Sequence, residues 1–157
     1  MSERGKTFLL AAGAGLIAGM RSMTLPAFLN HYLKRRDGGV ANLLARSAAT
    51  PLLRLLATGE LIADKTPFVP DRTELPSLAG RAIVGGLCGV AIAERRNGAR
   101  LGAALLGSAA AVGSTFLSYE LRKRISEGSR LPDPVWGLAE DMLVILAASR
   151  LVAAADG

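Results

Sequence analysis

Residues 101–119 form a run of 19 positions without a charged side chain. As a helix this run rises about 28 Å at 1.5 Å per residue, close to the ~30 Å of a bilayer's hydrocarbon core. Backbone in hydrocarbon must satisfy its own polar groups, so the run favours a helix packed among helices. Other apolar segments follow the same logic at residues 7–32, 51–64, 78–93 and 135–155. The expectation is an all-α fold: one integral membrane domain over residues 1–157, a polytopic membrane helix bundle of about five apolar segments.

Composition agrees with that class. Half of the residues are hydrophobic but only 4% are aromatic, and 18 are glycine. Small residues let helix axes approach closely, and Gly15-xxx-Gly19 and Gly85-xxx-Gly89 are the kind of face that membrane helices pack through. The mean hydropathy is +0.33 despite 19 Lys and Arg and a net charge of +6. The basic residues fall in short clusters between apolar segments, which suits lipid headgroups as partner and argues against nucleic acid. Cys88 is the sole cysteine and His31 the sole histidine, so neither an internal disulfide nor a Cys or His metal site is indicated. No cofactor motif is recognisable, no catalytic residue stands out, and the sequence leaves a bound metal undetermined.

Arg4 and Lys6 ahead of an apolar run resemble a signal peptide. That reading is set aside because apolar character resumes after Arg21 and continues through Leu25 and Phe28, giving one span over residues 7–32. Arg21 then lies near the middle of the span, where a guanidinium costs several kcal/mol unless it is paired. Pro26 frees a backbone carbonyl near residue 22, which Ser22 and Thr24 can help to satisfy. Thr50-Pro51 reads as an N-cap followed by the first helical residue of a second segment. That segment is about 14 residues, or roughly 21 Å, short for a bilayer. Either a lead-in helix over residues 40–49 joins it through a kink, or it is partly re-entrant.

The candidate site begins where that segment ends. Glu60 and Asp64 are four residues apart and share one helix face, with Lys65 beside them. Pro67 and Pro70 end the helix, and Arg72 and Arg81 follow. In the last segment, Glu140 and Asp141 sit about 100° apart and cannot reach one partner, so at least one faces the interior. Arg21 is expected to contact Glu60 or Asp64. Glu120 and Arg124, four apart, are expected to pair at the end of the 101–119 segment. A weak internal symmetry relates residues 15–19 to 109–113 and Thr50-Pro51 to Asp133-Pro134, which leaves open an inverted repeat of the kind found in transporters.

Gly19-Met20-Arg21-Ser22, the run from Gly59 through Glu60, Asp64, Lys65 and Pro67 to Thr73, Gly80-Arg81, Leu131-Pro132-Asp133-Pro134 and Glu140-Asp141 together resemble a bacterial family called domain of unknown function 4126. The resemblance covers nearly the whole chain, and Glu-x-x-x-Asp-Lys-x-Pro is its most specific part. It implies an integral, multispan protein of the bacterial inner (cytoplasmic) membrane and brings no catalytic residues.

Three function classes follow from the interior charges. In a small transporter or channel, Arg21, Glu60, Asp64, Glu140 and Asp141 would handle an ion or small solute whose identity the sequence leaves unknown. In a structural or assembly protein the same residues, with Lys65, Arg72 and Arg81, would only neutralise one another. A lipid-modifying enzyme would use the paired carboxylates to hold Mg²⁺ against a phosphate, with Arg72 and Arg81 nearby; the sequence has no phosphate motif to support it. With five alternating spans, the loops on one side collect nine Lys and Arg and those on the other seven. This is too even to fix orientation by the positive-inside rule. A homo-oligomer, a dimer in the simplest case, is expected because so few short spans cannot enclose a pathway alone.

Overall fold

A computed structural model of the chain describes residues 2–32, 39–63, 74–128 and 133–156. Among them every regular element is helical: α1 (Glu3–Met20), α2 (Thr24–Tyr32), α3 (Gly39–Leu44), α4 (Ala49–Ala63), α5 (Leu75–Arg95), α6 (Arg100–Gly128) and α7 (Asp133–Asp156). The all-α expectation holds. Two helices, α5 and the Arg100–Ile125 part of α6, are long and apolar enough to cross a membrane.

The segment read as one span over residues 7–32 is two helices. Arg21 does not lie mid-helix; it caps α1 in an extended conformation, its amide donating to the Ile17 carbonyl at 2.8 Å. Pro26 falls in the first turn of α2, where its missing N–H costs no helical bond and its fixed φ suits a helix start. The proline that sequence reading placed inside a helix therefore helps to open a new one. Similarly, α4 begins at Ala49, ahead of Thr50 and Pro51, and α6 runs nine residues past Tyr119. The proposed lead-in helix shrinks to α3, six residues long.

The centre of the molecule is the trio α1, α5 and α6, which make the most extensive mutual contacts. Successive contacts set their directions: Gly15 faces Gly107 and Gly19 faces Ala111 and Ser114, so α1 runs parallel to α6, while Gly85 faces Gly107 and Gly89 faces Ala103, so α5 is antiparallel to both. These approaches demand glycine. A Cβ at Gly85 would stand 2.7 Å from the Gly107 carbonyl oxygen and 2.8 Å from the Ala111 methyl. On the outer side α7 packs against α1 and α2, and α4 packs against α2.

Trans-acting caps hold the short helices. The Glu94 carboxylate accepts the Ala41 amide at 2.8 Å and sits against Gly39, whose φ of 81° opens α3. Asn30 of α2 donates to the Leu44 and Arg46 carbonyls at the other end of α3. Asn97, at φ 52°, is the left-handed residue that ends α5 and turns the chain into α6. At the far end of α1, Glu3 meets Lys6 and, across the bundle, Arg96 at 2.6 Å. Hydrogen bonds from Lys6 and then Arg96 hold its carboxyl below the usual range.

The distribution of side-chain sizes is inverted relative to a water-soluble bundle. The buried core is rich in alanine, including Ala11, Ala14, Ala18, Ala91, Ala93, Ala103, Ala111 and Ala148, while large apolar side chains point outward. Leu101 is 75% exposed, Leu55 70% and Met142 67%. A core helix of a soluble protein would be mostly buried, yet only 39% of the apolar stretch of α5 and 28% of that of α6 is covered by protein.

Candidate functional site

The break between α1 and α2 is where the chain concentrates its buried polarity. A helix that ends inside a bundle leaves orphan carbonyls on one side of the break and orphan amides on the other. Here both sets are met by side chains. Arg81 of α5 donates through Nη1 to the Gly19 and Met20 carbonyls at 2.7 and 3.0 Å. Thr115 of α6 donates to the Gly19 carbonyl at 3.1 Å, and Ser114 to that of Leu16 at 2.9 Å. On the α2 side, Glu60 accepts the Ser22 amide and hydroxyl at Oε1 and the Met23 amide at Oε2, all at 2.8 Å. A carboxylate at a helix N-terminus and a guanidinium at a helix C-terminus both lie with the local dipole. The two caps also approach each other, Arg81 Nη2 standing 3.9 Å from Glu60 Oε1.

Arg21 itself turns toward α7, where Nη2 donates to Asp141 Oδ1. Its side chain is 1% exposed and that of Asp141 9%, so the pair is cut off from bulk water. Next to Asp141, Glu140 points elsewhere, its Oε2 lying 3.8 Å from Arg122 Nη1 of α6. The two adjacent acids thus serve different cations, as their 100° separation requires. Arg21, Arg81, Glu60 and Asp141 form a compact group with two positive and two negative side chains.

Depth along the bundle follows from α6. Thr115, level with the break, precedes the exposed Glu120 by five residues, about 7.5 Å. The charges therefore lie near one end of the apolar belt, not at its middle. Arg124 and Glu120, which make the expected i,i+4 pair at 2.9 Å, mark the polar boundary.

Of the residues singled out in the sequence, Arg21, Glu60, Arg81 and Asp141 meet at the break. Glu140 lies one residue away on a separate pair. Asp64, Lys65 and Arg72 fall outside the described residues, as does any contact they make. Asp141 of α7 is an acid partner of Arg21 that sequence reading did not name, and the expected contact with Asp64 lies outside the described residues. Ser114, Thr115 and Arg122 were not anticipated as partners. Two adjacent hydroxyls inside an otherwise apolar span are the signal for the first two, since each needs an acceptor there. Arg122 follows the uncharged 101–119 run among other basic residues, and nothing in its spacing singles it out. Among the described residues no three His, Cys, Asp or Glu side chains are grouped so as to hold a metal ion.

Beside the break, α6 and α7 touch only sparsely and leave a cavity of about 200 Å³. Met20, Leu121, Ile125, Trp136 and Leu143 give it an apolar wall, with Arg122 and Glu140 as its charged side chains. In comparisons with known proteins the chain matches no family profile, no curated protein and no solved structure.

Proposed function

We propose that this chain is a small multispan protein of the bacterial inner membrane that passes an ion or small solute along the break in its first span. The observation that carries this reading is the interrupted helix itself, flanked by buried Arg21, Arg81, Glu60 and Asp141. Unwound backbone at membrane depth is tolerated where protein or a water-filled cavity surrounds it; transporters place substrate sites at such breaks near the midplane, whereas this one lies closer to one end of the apolar belt. The outward large hydrophobics and the two span-length helices support the membrane assignment. On this reading α1 with α2, α4, α5, α6 and α7 are the five apolar segments but not five alternating crossings: α1 runs parallel to α6 and antiparallel to α5, the reverse of what first, third and fourth crossings and an inverted repeat would give, so the chain between α1 and α5 does not make a single crossing.

A second reading is favoured by one specific observation: Glu60 already accepts three hydrogen bonds and Asp141 is already paired with Arg21. In that case the charges only lock the helices together and the protein is a structural or assembly component. Flux separates the two. Carbonate-washed membranes should retain the protein, and proteoliposomes made from it should pass protons, sodium, potassium or chloride in dye-release assays, with Asp141→Asn lowering the rate at least tenfold. Release by carbonate would remove the membrane assignment. Retention without flux of any of these ions would leave the structural reading in possession.

Five short segments are few to enclose a pathway, so the working unit proposed is a homodimer. Mass measurement in mild detergent and in nanodiscs is expected to give two chains, and a monomer in both would remove the dimer.

A further inference from the structure

An even division of Lys and Arg between the two sides requires five alternating spans, and the fold redistributes them. Because α1 is antiparallel to α5, the start of α1 and the finish of α5 share one end of the bundle, where Arg96 meets Glu3 at 2.6 Å. Helix α6 starts at that end, with Arg100 Nε 3.6 Å from Glu94. The same Glu94 caps α3, and Arg46 follows just past it. Helix α7 runs toward this end too, since Asp141 meets Arg21 and Leu151 lies against Gly13, nearer the start of α1. Among the described residues this end gathers Arg4, Lys6, Arg46, Arg95, Arg96 and Arg100, whereas the opposite end has Arg122, Lys123 and Arg124. Arg21 and Arg81 are buried at the break, and Arg54 and Arg150 lie within α4 and α7, so none of the four belongs to either rim. Glu3 and Glu94 pair with members of the larger rim, but acidic residues weigh little in the rule that orients membrane proteins.

We infer that the end where α1 starts and α7 finishes faces the cytoplasm, with its basic rim seated at the anionic phospholipid headgroups of that leaflet. The inference rests on the membrane assignment above and does not require transport. Six basic residues against three is an imbalance of the kind that sets orientation. The membrane potential opposes their transfer to the outside, and the anionic lipids of the cytoplasmic leaflet attract them. Arg4, Lys6, Arg46 and Arg100 are exposed, as contact with headgroups requires. The orientation also positions the break. From Arg100 to Thr115 α6 rises about 22 Å, against about 7.5 Å from Thr115 to Glu120. The buried charges therefore lie toward the periplasmic face, with the glycine-packed seam of α1, α5 and α6 between them and the cytoplasm.

Single cysteines on a Cys88→Ala background read the orientation without touching either rim. Ala99→Cys lies between α5 and α6 at the basic end and Glu74→Cys at the start of α5 at the other, both at exposed positions. With an impermeant maleimide that reaches only the periplasm of intact cells, Glu74→Cys is expected to label at least tenfold more than Ala99→Cys, which labels only after lysis. The reverse pattern, or equal labelling of both in intact cells, overturns the orientation. Where a cysteine variant fails to accumulate, reporters fused after residue 157 of the otherwise unaltered chain give the same reading: a fluorescent protein is expected to glow and alkaline phosphatase to stay inactive, and active phosphatase overturns the orientation. Neutralising the exposed rim with Arg4→Gln/Lys6→Gln/Arg46→Gln/Arg100→Gln is expected to raise Ala99→Cys labelling in intact cells to at least a third of that at Glu74→Cys. An unchanged ratio removes the rim as the cause. In nanodiscs, phosphatidylglycerol is expected to raise the Tm above its value in phosphatidylcholine, and the four substitutions to remove at least half of that gain. An equal gain in both proteins takes the anionic headgroups out of the account. Release of the protein by carbonate would instead sink the membrane reading, and a lack of ion flux leaves the labelling pattern as it is, so the failures are distinguishable.

Discussion

Replacing Asp141 by alanine is expected to destabilise the protein by about 3–5 kcal/mol, the usual consequence of stranding one member of a buried ion pair. The group that loses this partner is the Arg21 guanidinium, 1% exposed, at the end of α1. Arg21→Ala leaves Asp141 in the same position and should cost a similar amount. The double variant tells more than either single one. With both members of this pair gone neither leaves the other uncompensated, so Arg21→Ala/Asp141→Ala should be destabilised by less than the sum of the two single variants, with a coupling energy of roughly 1–3 kcal/mol. Unfolding by a denaturing detergent, followed by circular dichroism, measures all four corners of the cycle. Strict additivity would show that the contact contributes nothing. A parallel cycle on Arg81 and Glu60 should give a smaller coupling, because their closest approach is 3.9 Å and Glu60 retains the Ser22 and Met23 amides when Arg81 is lost.

The same arrangement explains which parts of the site were legible in the sequence. An arginine in an apolar stretch must find an acid, and an acid beside apolar residues must find a cation, so Arg21, Glu60, Arg81 and Asp141 declare themselves by cost alone. Which acid meets which cation is a tertiary matter. Glu60 is closer to Arg21 in sequence than Asp141 is, and it does come to the same break, but it is held by the α2 amides. Those amides exist only because the helix stops at Met20. The stop is the feature that sequence reading missed, since apolar character resumes directly after Arg21-Ser22 and runs on to residue 29, so that Pro26 looks like a kink within one helix. Periodicity reports which face is apolar, and it carries little information on whether a helix is continuous when side chains from three neighbouring helices can replace the lost backbone bonds.

Glycine spacing, by contrast, translated directly into packing. Gly15, Gly19, Gly85 and Gly89 all lie where α1, α5 and α6 approach backbone to backbone, because the absence of a side chain is itself the contact. The suggested internal symmetry fares differently at this level of detail: Gly19 faces Ala111 and Ser114, whereas Gly113, its counterpart by sequence, meets nothing within 4 Å.

That contrast supplies the second large effect. Gly85→Leu is expected to destabilise the bundle by at least ~3 kcal/mol, at or above the upper end of ordinary overpacking, because the atoms met first are the Gly107 carbonyl oxygen at 2.7 Å and the Ala111 methyl at 2.8 Å. A flexible side chain can swing aside; a backbone carbonyl in the middle of α6 moves only if the helix does. At Gly86, one residue on, the nearest atom is the Ser108 hydroxyl at 2.6 Å, but that hydroxyl also donates to the Ala82 carbonyl, so displacing it breaks a hydrogen bond as well. Gly86→Ala should therefore cost less than Gly85→Leu without being silent. Gly113→Ala is the control, with open space around it and a helical backbone that alanine favours by up to ~1 kcal/mol over glycine. Thermal unfolding in a mild detergent should rank Gly113→Ala at or above the wild type, Gly86→Ala below it and Gly85→Leu lowest. A Gly85→Leu protein as stable as the wild type would mean that α5 and α6 do not pack as closely as described, and the antiparallel seam on which the break is mounted would have to be redrawn.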